Sequence, residues 1–207
     1  MQWNEKVNLT GITQYDEILI RHFLDSLSVI LALDEDSAGS QTMLDIGTGA
    51  GFPGIPLRLV MPQLRLTLMD SVGKKITFLN ALLPKLSLDK VEVVLGRAED
   101  AAHLPEHREA YHYVVSRGVG KLSTLAEYTL PFCEVGGKAI AMKQGDLTDE
   151  LTQATSAIER LGGRLERVVP VNIEALPEGR QLVVLSKIAP TPAQFPRRAG
   201  IPAKRPL

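Results

Sequence analysis

Five short apolar runs recur along the middle of the chain: TMLDI (42–46), LRLTLMD (64–70), VEVVL (91–95), YHYVVS (111–116) and GKAIAMK (137–143). Helix-length stretches separate them. Runs of this length, bounded by turn residues, read as strands, and the intervening segments as crossover helices. GKKITFLNALLPKL (73–86) is the clearest of these helices, with Ile76, Leu79 and Leu83 on one face. Strands alternating with helices imply a parallel sheet covered on both sides. Right-handed crossovers put every loop after a strand on the same edge. Ligands bind along that edge, at the carboxyl ends of the strands.

The flanks read differently. Residues 15–33, YDEILIRHFLDSLSVILAL, place Ile18, Leu19, Phe23, Leu27 and Ile30 near helical spacing, which predicts an amphipathic helix. Asp34 to Ser40 reads as a polar loop. GRLERVVPVN (163–172) and RQLVVLSKI (180–188) are extended runs joined by EALPEG, which predicts a terminal hairpin and an antiparallel strand in the sheet. The last stretch, APTPAQFPRRAGIPAKRPL, is rich in proline and basic, and is expected to be extended or mobile in isolation. The organisation expected is an N-terminal helical extension (1–40), an α/β domain with a seven-stranded, mostly parallel sheet (41–189) and a basic tail (190–207).

A chain of 207 residues is long enough for one full core and too short for two large ones. The formal net charge of −1 supplies no global field, so any nucleic-acid contact must come from a local basic patch. The single cysteine, Cys133, cannot build a disulfide framework or a cysteine-based zinc site, and no metal is expected. The polar N-terminus lacks the apolar core of a signal peptide, and no apolar run reaches the roughly 18–20 residues of a membrane span. A cytoplasmic protein without membrane contact is expected.

The stretch LDIGTGAGFPGIP (44–56) lies between a strand and a helix start and admits two registers. Gly47-x-Gly49-x-Gly51 is the usual spacing of an S-adenosylmethionine (SAM) loop. Gly49-x-Gly51-x-x-Gly54 is the dinucleotide fingerprint. Glycines allow close backbone approach to a ligand, and Asp70, ending the next strand, can accept from both ribose hydroxyls. Three features favour SAM. Asp45 sits just before the glycines, where it can face a cationic ligand end or cap the turn. GRAED (96–100) follows the third strand, with Ala98 and Glu99 as candidates for the adenine amine or as an ordinary helix start. The terminal hairpin suits a methyltransferase sheet, and the chain has little room for the substrate domain a nicotinamide enzyme needs.

Taken together, QWNEKVNLT, RHFLDSL, LDIGTGAGFPGIPL, MDSVGKKITFLN, GRAED, SRGVGKLSTLAEYTLP and RRAGIPAKRPL closely resemble the RsmG/GidB family, from Gln2 to Leu207. That resemblance implies a Rossmann-like SAM-dependent methyltransferase fold. It also implies bacterial methylation of N7 of a guanine in 16S ribosomal RNA near the decoding centre, within the small ribosomal subunit. The SAM-site positions it implies are Gly47 and Phe52 in the glycine loop, Ala98 and Glu99 after the third strand and Arg117 after the fourth. Gly49 and Asp70 complete the set from the loop reading. The resemblance also implies a further helical segment before the Trp-Asn string, either missing from this chain or left out by a start codon assigned late, which bears on N-terminal packing and RNA contact.

The residues agree with that chemistry. Guanine N7 carries a lone pair and no proton, so transfer there needs positioning rather than a general base. The Asn/Asp-Pro-Pro-aromatic string common in exocyclic-amine methyltransferases is replaced by SRGVG. Cys133, in LPFCEVGG, reads as a small buried filler rather than a nucleophile. Arg117 is the catalytic candidate, able to pair with guanine O6, a phosphate or the SAM carboxylate, or to form a structural ion pair with Asp45 or Glu99. For RNA, His22, Lys143, Arg197, Arg198, Lys204 and Arg205 are the candidates, with Lys74 and Lys75 weaker. Asn4, Asn8 and Thr10 read as loop caps or RNA contacts, and Trp3 as a core, lid or stacking residue. A monomer is expected. The competing readings are a NAD-linked oxidoreductase and a ribosome-assembly factor with a vestigial cofactor site.

Overall fold

A computed structural model describes residues 2–34, 41–118 and 120–207. Seven strands form one sheet in the order β3-β2-β1-β4-β5-β7-β6. They are β1 (Thr42–Ile46), β2 (Arg65–Asp70), β3 (Val91–Leu95), β4 (Tyr111–Arg117), β5 (Cys133–Gln144), β6 (Gly163–Pro170) and β7 (Arg180–Lys187). The first five run parallel. β7 runs antiparallel to both β5 and β6. The expected runs match these strands within about a residue, except that β5 begins four residues before GKAIAMK, at Cys133, and β6 ends two residues short of its run, at Pro170.

The helices are α1 (Gln2–Val7), α2 (Tyr15–Ile18), α3 (Asp25–Leu27), α4 (Gly54–Val60), α5 (Gly73–Leu82), α6 (Ala98–Ala101), α7 (Leu122–Thr129), α8 (Thr148–Arg160) and α9 (Ile201–Lys204). On one face of the sheet, Leu125, Ala126, Phe132 and Ile158 pack with Leu44, Val114 and Val183. On the other, Val29, Leu57, Ile76 and Leu79 pack with Met43, Leu68 and Val184. Full burial of each such side chain contributes roughly 1.5–3 kcal/mol. Because β2 and β4 flank β1, crossovers leave β1 in opposite directions, and a crevice opens at the carboxyl ends of β1 and β4.

The segment read as one amphipathic helix over 15–33 is helical but irregular. Between α2 and α3 lies a π-helical stretch, Leu19–Leu24, and a 3-10 stretch, Ser28–Ala32, follows α3. The face expected to be buried is not. Leu19 is 42% and Ile30 45% exposed, whereas His22, Asp25, Ser26 and Ser28 are buried. The wide π turn rotates the stripe, and the buried polar groups bond locally: Ser26 Oγ to the His22 carbonyl and Ser28 Oγ to the Asp25 carbonyl. Most of the expected loop, residues 35–40, lies outside the described residues.

The C-terminal stretch, expected to be extended or mobile in isolation, is held here by the rest of the chain. It docks against α6 and α7. Arg108 donates to the carbonyls of Thr191 (2.7 Å), Pro192 (3.3 Å) and Phe195 (3.0 Å). His103 Nε2 lies 2.9 Å from the Pro196 carbonyl, and Phe195 is buried. Proline-rich chain has few backbone donors of its own, so it is held by side chains donating to its carbonyls.

Candidate functional site

The loop after β1 turns on three glycines in the left-handed region: Gly47 (φ 70°), Gly49 (61°) and Gly51 (92°). The loop is tied to β2 by Gly47 N–H and Thr48 N–H, which donate to the Met69 carbonyl at 2.9 and 3.1 Å. Asp70, at the end of β2, is 5% exposed. Its Oδ2 accepts from Gly49 N–H (3.0 Å) and Lys75 Nζ (3.3 Å), and its Oδ1 from Val72 N–H (2.9 Å). The carboxylate is thereby fixed under the loop.

A cavity of about 170 Å³ opens beside this carboxylate, lined by Gly47, Asp70, Gly96, Ala98, Glu99 and Tyr128. Four of the expected cofactor positions therefore meet in one place. Burial raises the Tyr128 hydroxyl to about 12, with the nearby Glu99 carboxylate, which bonds to it, acting in the same direction. Tyr128 was not singled out from the sequence, because it sits in the middle of α7 with no motif around it.

The two glycine registers have separate physical causes. A Cβ on Gly51 would stand 2.3 Å from Ile55 Cδ1, and one on Gly54 would stand 2.7 Å from Leu68 Cδ2 and 2.9 Å from Asp45 Oδ2. Gly54 is thus required for α4 to lie against the sheet, and its part in the dinucleotide-like spacing is a packing matter. Asp45 is fully buried. Its Oδ2 accepts from Thr48 Oγ1 (2.7 Å) and Gly54 N–H (2.8 Å), the turn-capping role. Its Oδ1 has no hydrogen-bond partner among the described residues. Burial pushes its pKa up to about 6. Three acids, Asp45, Asp70 and Glu99, surround the loop. They suit a ligand carrying positive charge and oppose an anionic pyrophosphate, so the residues fit SAM better than NAD.

A second, larger cleft of about 630 Å³ is lined by Arg21, His22, Arg117, Lys143, Glu150 and Arg180 among others. Phe52, in the loop after β1, bears on two of these residues. His22 stacks on its ring, Phe23 meets it edge-on with centroids 5.1 Å apart, and the Arg117 guanidinium lies 5.4 Å from its centroid. The partner of Arg117 is neither Asp45 nor Glu99 directly. It is Asp25, 1% exposed, whose Oδ2 lies 3.4 Å from Arg117 Nη1. Asp25 also pairs with Arg180, Oδ1 to Nε at 3.2 Å. Burial lowers the Arg117 pKa, and Asp25 and Asp45 oppose that shift.

His22 is fully engaged. Its pKa lies below the usual 6.5 through burial and then the Arg117 charge, so the neutral ring is favoured. Its Nδ1 lies 3.1 Å from the Arg21 carbonyl and its Nε2 2.7 Å from Thr10 Oγ1. A carbonyl can only accept, so Nδ1 donates and Nε2 accepts from the threonine hydroxyl. Lys143 donates to Glu150 Oε1 (2.6 Å) and to the Gly120 carbonyl (3.1 Å) at the cleft wall.

The remaining candidates separate. Arg197 is committed to Glu127, which is fully buried: Nε to Oε1 at 2.9 Å and Nη2 to Oε2 at 2.6 Å. That pairing anchors the tail to α7. Arg198, Lys204 and Arg205 are exposed on the docked tail, away from the cleft's lining. Lys74 is exposed beside the loop, whereas Lys75 pairs with Asp70. Asn4 caps the turn after α1, accepting from Leu9 and Thr10 N–H, and Trp3 packs edge-on against Phe78. Cys133 is buried, and burial pushes its thiol up to about 12, as suits a filler.

Asp25 and Arg180 escaped the sequence reading. Asp25 looks like a surface acid on an amphipathic helix. Arg180 opens β7, opposite Gln144. Only because β7 runs antiparallel does its first residue, rather than its last, reach the ligand edge.

The family described as rRNA small subunit methyltransferase G matches residues 1–182. The chain belongs to that family. A relative named ribosomal RNA small subunit methyltransferase G from Dehalococcoides mccartyi is 48% identical over the whole chain and 87% of its own length. One of the same name from Roseiflexus sp. is 49% identical over 99% of the chain and 86% of its own. Among solved structures, a SAM-dependent methyltransferase from Aquifex aeolicus superposes with a TM-score of 0.61 at 17% identity, covering 87% of this chain and 97% of that one. A precorrin-6y C5,15-methyltransferase from Geobacter metallireducens gives 0.56 at 19%, covering 80% and 88%. These two share the fold. Family membership accounts for the full run of motifs from Gln2 onward, and the fold is the Rossmann-like one expected of it. Among the described residues no helix is long and apolar enough to cross a membrane.

Proposed function

We propose that the chain transfers a methyl group from SAM to N7 of a guanine in 16S ribosomal RNA near the decoding centre, with the small ribosomal subunit as substrate. The observation that carries this reading is that one glycine loop reaches both sites: its Gly47 lines a cavity that also holds Asp70 and Glu99, and its Phe52 lies against His22 and Arg117 of a cleft rich in cations. The acidic side suits a cationic nucleoside and the basic side suits RNA. When bound, SAM supplies an electrophilic methyl group on its sulfonium.

In this reading Asp70 holds the ribose hydroxyls, Glu99 takes the adenine amine, and Gly47 and Gly49 admit the ligand to the backbone. Arg117, Arg180 and Lys143 attract the RNA into the cleft, and exposed Arg198, Lys204 and Arg205 add phosphate contacts from the tail. Every nitrogen of His22 is already bonded, which agrees with a reaction that abstracts no proton from its acceptor atom. The target base must leave its stack to enter the cleft. The protein acts as a monomer in the cytoplasm, without membrane contact.

The test is methyl transfer from labelled SAM to small subunits lacking the modification, followed by nucleoside analysis. Appearance of 7-methylguanosine is expected. SAM binding without transfer to those subunits would overturn the substrate, and tight binding of NAD in place of SAM would overturn the cofactor. Gly47→Arg, which fills the cavity wall, is expected to abolish SAM binding by calorimetry while circular dichroism stays native.

A further inference from the structure

Glu99 connects the C-terminal tail to the nucleoside cavity. It lines that cavity with Asp70 and Ala98, is 5% exposed, and its Oε1 accepts the Gly200 N–H at 2.8 Å. Gly200 sits at φ 81°, a conformation that favours glycine. It is held on both sides: Arg197 pairs with Glu127, and Thr124 Oγ1 donates to the Pro202 carbonyl at 3.1 Å. Glu127 and Tyr128 are consecutive residues of α7. One grips the tail and the other borders the cavity beside Glu99.

We propose that the docked tail is a positioning element of the nucleoside site, in which the Gly200 N–H fixes the Glu99 carboxylate so that its remaining lone pairs accept the exocyclic amine of an adenine. The proposal rests on the reading of this cavity as the SAM site. A carboxylate has about four lone-pair positions, so the Gly200 N–H and the Tyr128 hydroxyl leave acceptors for a ligand. Without the Gly200 donor, an anion this buried would keep only Tyr128 and would turn toward water. A glutamate already held in place loses less freedom when the ligand arrives, which raises affinity.

Linkage makes the coupling reciprocal: whatever factor tail docking adds to ligand affinity, the ligand adds to tail docking. Arg198, Lys204 and Arg205 are exposed on the same segment. A polyanion that grips them also steadies Gly200, and through it Glu99.

The experiment compares the full chain with a truncation ending at Ala199, which removes the donor and keeps the Arg197 and Phe195 anchors. Calorimetry measures binding of S-adenosylhomocysteine and of S-inosylhomocysteine, whose base has a carbonyl in place of the amine. The full chain is expected to prefer the adenosyl ligand. Truncation should weaken that ligand at least about fivefold and the inosyl ligand much less, so that the preference narrows. An equal loss for both ligands would mean general loosening and would overturn the proposal, as would no change. On the full chain, hydrogen exchange at the Gly200 amide should slow when S-adenosylhomocysteine binds; an unchanged rate would also overturn it. If the full chain binds neither ligand, the reading of the cavity itself fails.

Discussion

His22 lies nearly flat on Phe52, with ring centroids 5.0 Å apart and planes 24° apart. With Arg117 against the same ring, a single aromatic side chain joins the N-terminal helical run, the glycine loop and the end of β4. Phe52 therefore ties the loop after β1 to two residues of the larger cleft.

Phe52→Ala removes the stack, worth about 0.5–1.5 kcal/mol, and the cation–π contact, worth about 0.5–2 kcal/mol. Steady-state methyl transfer to unmodified small subunits should show kcat/KM falling by at least roughly tenfold. Phe52→Tyr, which keeps the ring, should stay close to the parent. Equal activity in the alanine variant would remove Phe52 from the site.

Asp25 is shared between Arg117 and Arg180. Taking away one arginine leaves the buried carboxylate with the other. Taking away both strands it, at a cost of roughly 3–5 kcal/mol. Arg117→Ala and Arg180→Ala are each expected to unfold at moderately lower denaturant concentration, and the double variant to lose more than the two losses combined. Strict additivity would show that the two guanidinium groups do not share Asp25 in solution.

Asp45 predicts two opposing pH trends. Its folded pKa of about 6 exceeds the ordinary 3.8, so the folded state holds the extra proton between these values. Its contribution to stability is complete below about pH 3.8 and is lost as pH rises through 6, by an amount on the order of 3 kcal/mol. Denaturation of the parent against Asp45→Asn from pH 4 to 7 should show the parent losing about that much relative to the variant. SAM affinity should move the other way, falling as acid removes the negative charge beneath the loop. In the variant this part of the pH dependence should vanish.

Gly54→Ala places a methyl group against Leu68, Asp45 and Leu66. Overpacking of this kind costs about 1–3 kcal/mol. The glycine loop, held through Asp45, should shift with it, so a lowered midpoint in urea and a weaker SAM affinity are expected together. Gly11→Ala, with nothing within 4 Å of the new atom, is the control and should change neither.

The strands were legible because consecutive apolar residues buried on both faces leave a local signature, and β1 and β3 match their runs to the residue. The grouping of Gly47, Asp70 and Ala98 around one cavity was legible for a similar reason, since each sits at or just after a strand end. The docked tail was not. Its holdfasts are Arg108, Glu127 and Glu99, far along the chain from Thr191, Arg197 and Gly200, and no periodicity connects them. The burial of the N-terminal helical run is not legible in its apolar spacing, because that spacing implies an α-helical pitch that the segment does not keep. Asp25 was lost with it.

That irregular pitch also acts as a phase setting for the wall of the cleft. An α-helix turns by about 100° per residue, whereas the wider turn at Leu19–Leu24 advances less. Tightening the same six residues to an ordinary helical pitch, with none removed, would turn everything after them further around the axis and carry Asp25 away from its two arginines. Removing one residue as the pitch tightens would instead keep the phase. The charge balance of the cleft therefore depends on the pitch of a stretch of backbone, with Arg117 and Arg180 untouched.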